Sequence, residues 1–429
     1  MKITRRSFLK ASGVLALGSS LAGSLASTAS TQLDDKGDGP WADGLDGLKT
    51  DRWIPTQWRT AFKHEENLWH PQLVKLNDGN LLMSAIVGGY GLTVVVRSTD
   101  GGATWSEPVE VSDYFNIQGG GGWGMTQLRS GRLIMSYLDI SPWRRIPAWP
   151  PASEPRKVGQ WPEKGLYPWA WDPEYTRMQL RTAYSDDNGS TWKLSDPIDC
   201  SPWIGAITHG SGPIFEVDNT IYMPVWAWFS KDDWGNCALL KSEDGGKTWK
   251  PGSVIARADR SKQVEYRETC VQVLPDGEWL AICRANYPND YGSLSVSMHS
   301  ARSSDGGRSW SEPVPTFASL GFPRMLLLPD GGLMVYGSYN DGIRNFFSYN
   351  KGVTWAFEDI LFWRDSRYGY GILDHGSPSA VVLSDTEVLV CYYTTAQKDK
   401  NWGFMDPRNH VESVLVKRVA WDAEAVLVR

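Results

Sequence analysis

The sequence predicts an all-β chain folded as a six-bladed β-propeller. Three observations predict it. An eight-residue turn motif returns five times, an apolar strand–turn–strand unit returns six times, and the chain holds 23 Trp beside 43 Gly and 25 Pro in 429 residues. Tight turns draw on Gly and Pro, and short strands with large buried rings draw on Trp. Internal repetition of this kind marks an architecture in which each unit buries its apolar face only against its neighbours.

In chain order, the first element is a leader. Thr4-Arg5-Arg6-Ser7-Phe8-Leu9-Lys10 has the pattern of a twin-arginine export signal, followed by an apolar stretch over 11 to 25 and small residues at Ala26 and Ala29 suited to cleavage. Gly13, Gly18, Ser19, Ser20 and Gly23 interrupt that stretch, so it is a poor membrane span. Residues 1–30 are therefore expected to be removed, with the folded protein exported to the periplasm or beyond and no membrane span in its mature form. Residues 31–50, which include Asp34-Asp35-Lys36-Gly37-Asp38-Gly39-Pro40, read as a polar linker, and residues 51–429 as the propeller.

The turn motif is S-x-D-x-G-x-T-W. It appears as Ser98-Thr-Asp100-Gly-Gly102-Ala-Thr104-Trp105, and again from Ser185 to Trp192, Ser242 to Trp249, Ser303 to Trp310 and, with Asn350 in place of Asp, Ser348 to Trp355. The Asp or Asn is expected to cap turn amides, the Gly to supply a positive φ, and the Trp to bury its ring at a hairpin base. These residues are assigned to structure and not to catalysis.

Ahead of the motifs lie the apolar hairpins. They run over 71–83 around Asp78-Gly79, 125–135 around Ser130-Gly131, 213–223 around Asp218-Asn219, 269–283 around Asp276-Gly277, 325–335 around Asp330-Gly331 and 379–392 around Asp385. Six hairpins, five continued by a third strand into a turn motif, give six sheets of about four strands. The last sheet is expected to close with a strand from 411–419. A Pro- and Trp-rich insertion over 139–174, with Trp143, Trp149, Trp161, Trp169 and Trp171, is expected to form a long loop over one face.

A net charge of -6 gives no reason to expect nucleic acid or an anionic membrane as partner. Cys200, Cys237, Cys270, Cys283 and Cys391 are too few and too scattered for a disulfide scaffold and form no CxxC pair. No cofactor motif is present, and no compact metal-ligand motif.

Together the boxes and hairpins resemble the sialidase (neuraminidase) superfamily, over nearly all of residues 51–429. In that family an arginine triad grips a substrate carboxylate, a Tyr backed by a Glu is the nucleophile, and an Asp is the acid/base. The resemblance implies a glycan substrate and assigns Glu268 and Arg284, in the fourth hairpin, to that Glu and to one triad Arg. The spacing agrees if the loop is Pro275 to Gly277, which sets residue 268 opposite 284; a two-residue loop would instead pair Cys270 with Cys283. At the family's Arg-Ile-Pro position this chain has Trp69-His70-Pro71, the nucleophilic Tyr aligns near Ser377, and the acid/base Asp has no clear counterpart around Tyr90.

Three of six histidines, His70, His209 and His375, open hairpins, the last two in the similar runs His209-Gly-Ser-Gly-Pro and His375-Gly-Ser-Pro. A closed ring of blades would aim all three at one axis, with Arg267, Arg284 and Arg324 nearby. Imidazole is suited to proton transfer near neutrality and guanidinium to gripping a carboxylate. The candidate catalytic set is Glu268, His70, His209, His375 and Asp374, the last as a second carboxylate. The candidate substrate-binding set is Arg284, Arg267, Arg324, Trp69 and Tyr90, with no metal site assigned. Three functions fit: an exo-acting glycoside hydrolase on an acidic or polar glycan, a polysaccharide lyase that uses central His and Tyr, and a non-catalytic glycan-binding propeller.

Overall fold

The computed structural model describes residues 51–64, 68–87, 92–111, 122–139, 179–230, 234–287, 297–316, 320–339, 342–363, 372–397 and 410–420. Among them every regular element is a strand. The leader, the linker, the Trp-rich insertion beyond Asp139 and Tyr90 lie outside the described residues, as do the side chains of Asp374 and His375. No helix is long and apolar enough to cross a membrane among the described residues.

The strands form six antiparallel sheets. Strand β1 (Asp51–Lys63) belongs to the last of them. Blade 1 holds β2 (Leu68–Lys75), β3 (Leu81–Val87), β4 (Leu92–Ser98) and β5 (Val109–Glu110). Blade 2 holds β6 (Trp123–Gln127), β7 (Leu133–Asp139), β8 (Gln179–Ser185) and β9 (Lys193–Leu194). In blade 3 the inner position is split between β10 (Gly205–Ile207) and β11 (Phe215–Val217), both paired with β12 (Thr220–Trp228); β13 (Asn236–Ser242) and β14 (Lys250–Ala256) follow. Blade 4 holds β15 (Glu265–Val273), β16 (Trp279–Asn286), β17 (Ser297–Ser303) and β18 (Val314–Pro315). Blade 5 holds β19 (Gly321–Leu327), β20 (Leu333–Tyr339), β21 (Gly342–Ser348) and β22 (Ala356–Trp363). Blade 6 holds β23 (Ile372–Ser384), β24 (Glu387–Gln397) and β25 (His410–Ala420), with β1 outermost.

The ring closes through its packing. Six apolar clusters each join two neighbouring blades: blades 1 and 2, 2 and 3, 3 and 4, 4 and 5, 5 and 6, and 6 and 1. Each sheet is therefore covered on both faces, and strands such as β3 (LLMSAIV) read as apolar runs without alternation. All seven residues of β3 are buried. The expected strand at 411–419 is present as β25, but β1 lies beyond it, so the first and last described strands share one sheet and pair from Asp51↔Ala420 to Lys63↔His410. The buried Trp53 on β1 donates its indole N–H to Asp330 Oδ2 (2.9 Å) on blade 5.

The five turn motifs are structural, as their chemistry predicts. Ser98 Oγ donates to Asp100 Oδ1 and accepts the Gly102 N–H, both at 2.8 Å, while Asp100 accepts the amide (2.9 Å) and hydroxyl (2.6 Å) of Thr104. The same bonds recur around Asp187, Asp244 and Asp305, and in part around Asn350. The Thr104 hydroxyl and amide hold the Asp100 carboxyl down at about 2, so the cap is ionised at any ordinary pH.

Candidate active site

Each blade brings its inner strand to the axis through a break in the ladder. Strand pairing skips between Trp69 and Gln72, Trp123 and Thr126, Arg267 and Cys270, Gly321 and Arg324, and Gly376 and Ser379. In blade 3 the break spans Ile207 to Phe215. At each break one residue takes a positive φ: His70 (51°), Gly124 (61°), Gly210 (69°), Glu268 (46°), Phe322 (52°) and Ser377 (43°). Four of these six carry side chains, a conformation that costs energy and collects at functional sites. The bulge turns these side chains out of the sheet and towards one another.

They meet in a buried throat. The His70 ring lies 5.4 Å from His209, 4.1 Å from Trp123, 5.5 Å from Phe322 and 5.5 Å from Tyr393, so five blades touch around one imidazole. His70 Nδ1 shares a 2.5 Å hydrogen bond with Ser377 Oγ. From blade 4, Glu268 accepts from Arg284 Nη1 at 2.7 Å and from the Phe322 amide at 2.8 Å. Gly210 lets Glu268 in: a Cβ there would stand 2.6 Å from Glu268 Cγ and 2.7 Å from Phe322 Cδ1.

Burial sets the charges. It drives His70 well below the usual imidazole range, helped by His209 and Arg324. It lowers His209 to about 4; Glu268 opposes this, while Arg284, Arg267 and Arg324 add to it. Both imidazoles are therefore neutral at pH 7, each with one donor and one acceptor nitrogen. Burial pushes the Glu268 carboxyl up, but Arg284, His209 and the two hydrogen bonds outweigh it and hold the group below its ordinary value. Arg324 is 2% exposed and donates through Nη1 to the carbonyls of Gly210 (2.6 Å) and Pro323 (3.2 Å). Its Nε and Nη2 are buried with no hydrogen-bond partner among the described residues. Desolvation of such a cation is expensive without an anion.

The structure thus brings together Glu268, His70, His209, Arg284 and Arg324. The three histidines are not equivalent in register, contrary to the sequence expectation. The positive-φ position is His70 itself, the residue after His209, and the second residue after His375, whose backbone pairs with Thr394. Arg284 pairs with Arg267 across the ladder rather than with Glu268. The lower register, Cys270 with Ile282, fits the three-residue loop; the bulge then lifts Glu268 out, and the ion pair forms across it. Arg267 is ion-paired with Glu265 and lies 4.3 Å over the Trp226 ring, so its charge is already met. Trp69, expected to face substrate, is 7% exposed and sits edge-on to His70 at 6.0 Å as a support. Ser377, Phe322, Trp123 and Gly210 were not singled out as site residues. For Phe322 and Ser377 one signal was present: His70-Pro71, Phe322-Pro323 and Ser377-Pro378 repeat an X-Pro step where three of the six inner strands break. No group of three or more His, Cys, Asp and Glu is placed to hold a metal ion among the described residues.

Comparison with known proteins agrees with this architecture. A family model described as a BNR repeat-like domain matches residues 156–320. A sialidase of Clostridium perfringens is 22% identical over 234 residues, covering 47% of this chain and 55% of that protein. The chain is a sialidase-like BNR-repeat propeller. It spans about half the length of the curated sialidases it matches, 55% and 50%. Among solved structures, a Dyadobacter fermentans protein of unknown function superposes on this sialidase-like propeller with a TM-score of 0.64 at 20% identity, covering 86% of this chain and 99% of its own. A Hadza microbial sialidase gives 0.56 at 18% identity, with 84% and 66% covered. Against the family pattern, the sialidase-like propeller carries His70 at the Arg-Ile-Pro position and Ser377 near the Tyr position, and the two are hydrogen-bonded to each other.

Proposed function

We propose that the chain is an exported glycoside hydrolase acting on the terminal residue of an acidic glycan. One observation carries this reading: Arg324, a buried guanidinium with two unpaired nitrogens, stands in a throat with an ionised carboxylate and two neutral imidazoles. A sugar carboxylate would supply the acceptors that Arg324 Nε and Nη2 lack, in the planar geometry a guanidinium prefers. Arg284 keeps Glu268 ionised, which suits it to stabilise an oxocarbenium-like transition state or to orient an attacking group, and not to donate a proton. An incoming carboxylate would also raise the pKa of His70 and His209, so substrate binding itself would arm an imidazole as proton donor. Asp374 remains the candidate second carboxylate.

Sialosides and uronides assayed with wild-type protein and with Arg324→Met test this. Turnover by the wild type, reduced mainly through KM in the variant, is the expected result. A folded wild type that cleaves no acidic glycoside would rule the reading out. The neutral imidazoles beside a carboxylate-binding Arg also favour a second reading, a lyase that removes the proton next to a uronate carboxylate. An unsaturated product, seen as a rise in ultraviolet absorbance, separates elimination from hydrolysis.

A further inference from the structure

We infer that Ser377 is a positioning residue: its hydroxyl donates to His70 Nδ1 and fixes the imidazole as an Nε2–H donor, so that His70 holds the substrate's oxygen acceptors and does not exchange protons. The inference rests on the reading of the throat as an acidic-sugar site, and it divides the work of the two imidazoles there. Ser377 is 0% exposed and His70 4%. Their contact, at 2.5 Å, is the one hydrogen bond of either side chain among the described residues. That exclusive pairing decides its direction. Were Nδ1 the donor, the buried Ser377 hydroxyl proton would have no acceptor, at a cost of about 1–3 kcal/mol. Ser377 therefore donates, Nδ1 accepts, and the proton of the uncharged ring sits on Nε2. The two nitrogens of an imidazole point in diverging directions, so Nε2 faces away from Ser377.

Both partners are held in place. Ser377 has a φ of 43° and its amide donates to Ser338 Oγ at 3.1 Å. A Cβ on the preceding Gly376 would stand 2.7 Å from that same oxygen, so the backbone has little freedom to withdraw. Around the imidazole, Trp69, Trp123, His209, Phe322 and Tyr393 place their ring centroids 4.1 to 6.0 Å away, which opposes a ring flip. Of the groups that face His70, His209 and Tyr393 titrate and Arg324 carries a charge; His209 and Arg324 both disfavour a second proton on the ring. His209 differs, because Glu268 favours its charged form. Proton transfer therefore falls to His209. His70 Nε2 instead joins Arg324 Nε and Nη2 as a donor, and a carboxylate is a ligand that only accepts.

Nitrogen magnetic resonance on protein isotope-labelled in its histidines tests this at pH 7 without turnover, because a protonated and an unprotonated ring nitrogen resonate apart. The signal absent from His70→Gln should show Nδ1 unprotonated and Nε2 protonated. Ser377→Ala keeps the strained backbone and Ser377→Gly relaxes it, yet both lack the hydroxyl, so in both that signal should become a mixture of tautomers. Should His70→Gln not fold, the signal that changes in both Ser377 variants identifies the ring. Free galacturonate and N-acetylneuraminate are titrated in parallel; the tighter should move the Nε2 signal and bind about tenfold more weakly to Ser377→Ala. In turnover, Ser377→Ala should raise KM by about the same factor and leave kcat within about twofold. A protonated Nδ1 in the wild type, or the wild-type pattern kept in both Ser377 variants, overturns the inference. The expected tautomer in a wild type that neither binds nor cleaves an acidic sugar would strike the throat chemistry and leave the positioning of His70 standing.

Discussion

Glu268 and His209 face each other at the axis, and their charge states set where the protein is stable. His209 has a folded pKa of about 4 against an ordinary 6.5, so the unfolded chain binds the extra proton first. Its contribution is complete above pH 6.5 and is lost as pH falls towards 4, by about 3 kcal/mol in all. Chemical denaturation of wild type and His209→Gln between pH 7 and 4.5 should show the steeper loss in the wild type; parallel curves would contradict the assignment. Glu268→Gln keeps an acceptor for the Phe322 amide but removes the charge opposite Arg284. The expected outcome is a loss of about 2–4 kcal/mol in stability together with a fall of at least about 100-fold in turnover. Gly210→Ala should reduce turnover as well while leaving every ionisable group in the chain, because its methyl displaces Glu268; steady-state kinetics at one pH would show it.

Within the blades, the turn motifs fasten each sheet to its neighbour. A Cβ on Gly246 would come within 2.7 Å of Ile134 Cδ1 on blade 2, whereas Gly245 beside it has open space; both have positive φ. Gly245→Ala should cost only the backbone term, about 1 kcal/mol, and Gly246→Ala a further 1–3 kcal/mol of overpacking. Thermal unfolding of the pair isolates the contact between blades. These motifs were legible in the sequence because the bonds of Asp100 and its counterparts are local, within four residues of chain. The lower ladder of β15 and β16 was legible for the same reason, since the turn at Asp276-Gly277 fixes it. The bulges were not, because no residue type demands a positive φ at His70, Glu268, Phe322 or Ser377; tertiary packing imposes it. The contact of Ser377 with His70 joins residues 307 apart, and no local pattern could announce it.

At the scale of the whole ring, β1 holds the two ends of the described chain in one sheet. Its sequence, with Pro55 and an exposed outer stretch, gives little strand signal, which is why its place was not foreseen. Trp53→Ala should cost about 3–5 kcal/mol, since it empties a buried site between blades 5 and 6 and removes the indole donor from Asp330. A chain lacking residues 1–50 should unfold as the full chain does, and one lacking residues 1–64 should leave β25 with a bare edge and aggregate; thermal scans and light scattering would separate the two. The six breaks at the axis have a wider consequence. Each uncouples the side chain it presents from the inside–outside alternation of the ladder below it, so polarity can change at that point without moving the apolar layer between blades. The scaffold behaves as six sockets in a fixed mount, and His70, Glu268, Phe322 and Ser377 are fittings that a different chemistry could exchange one at a time.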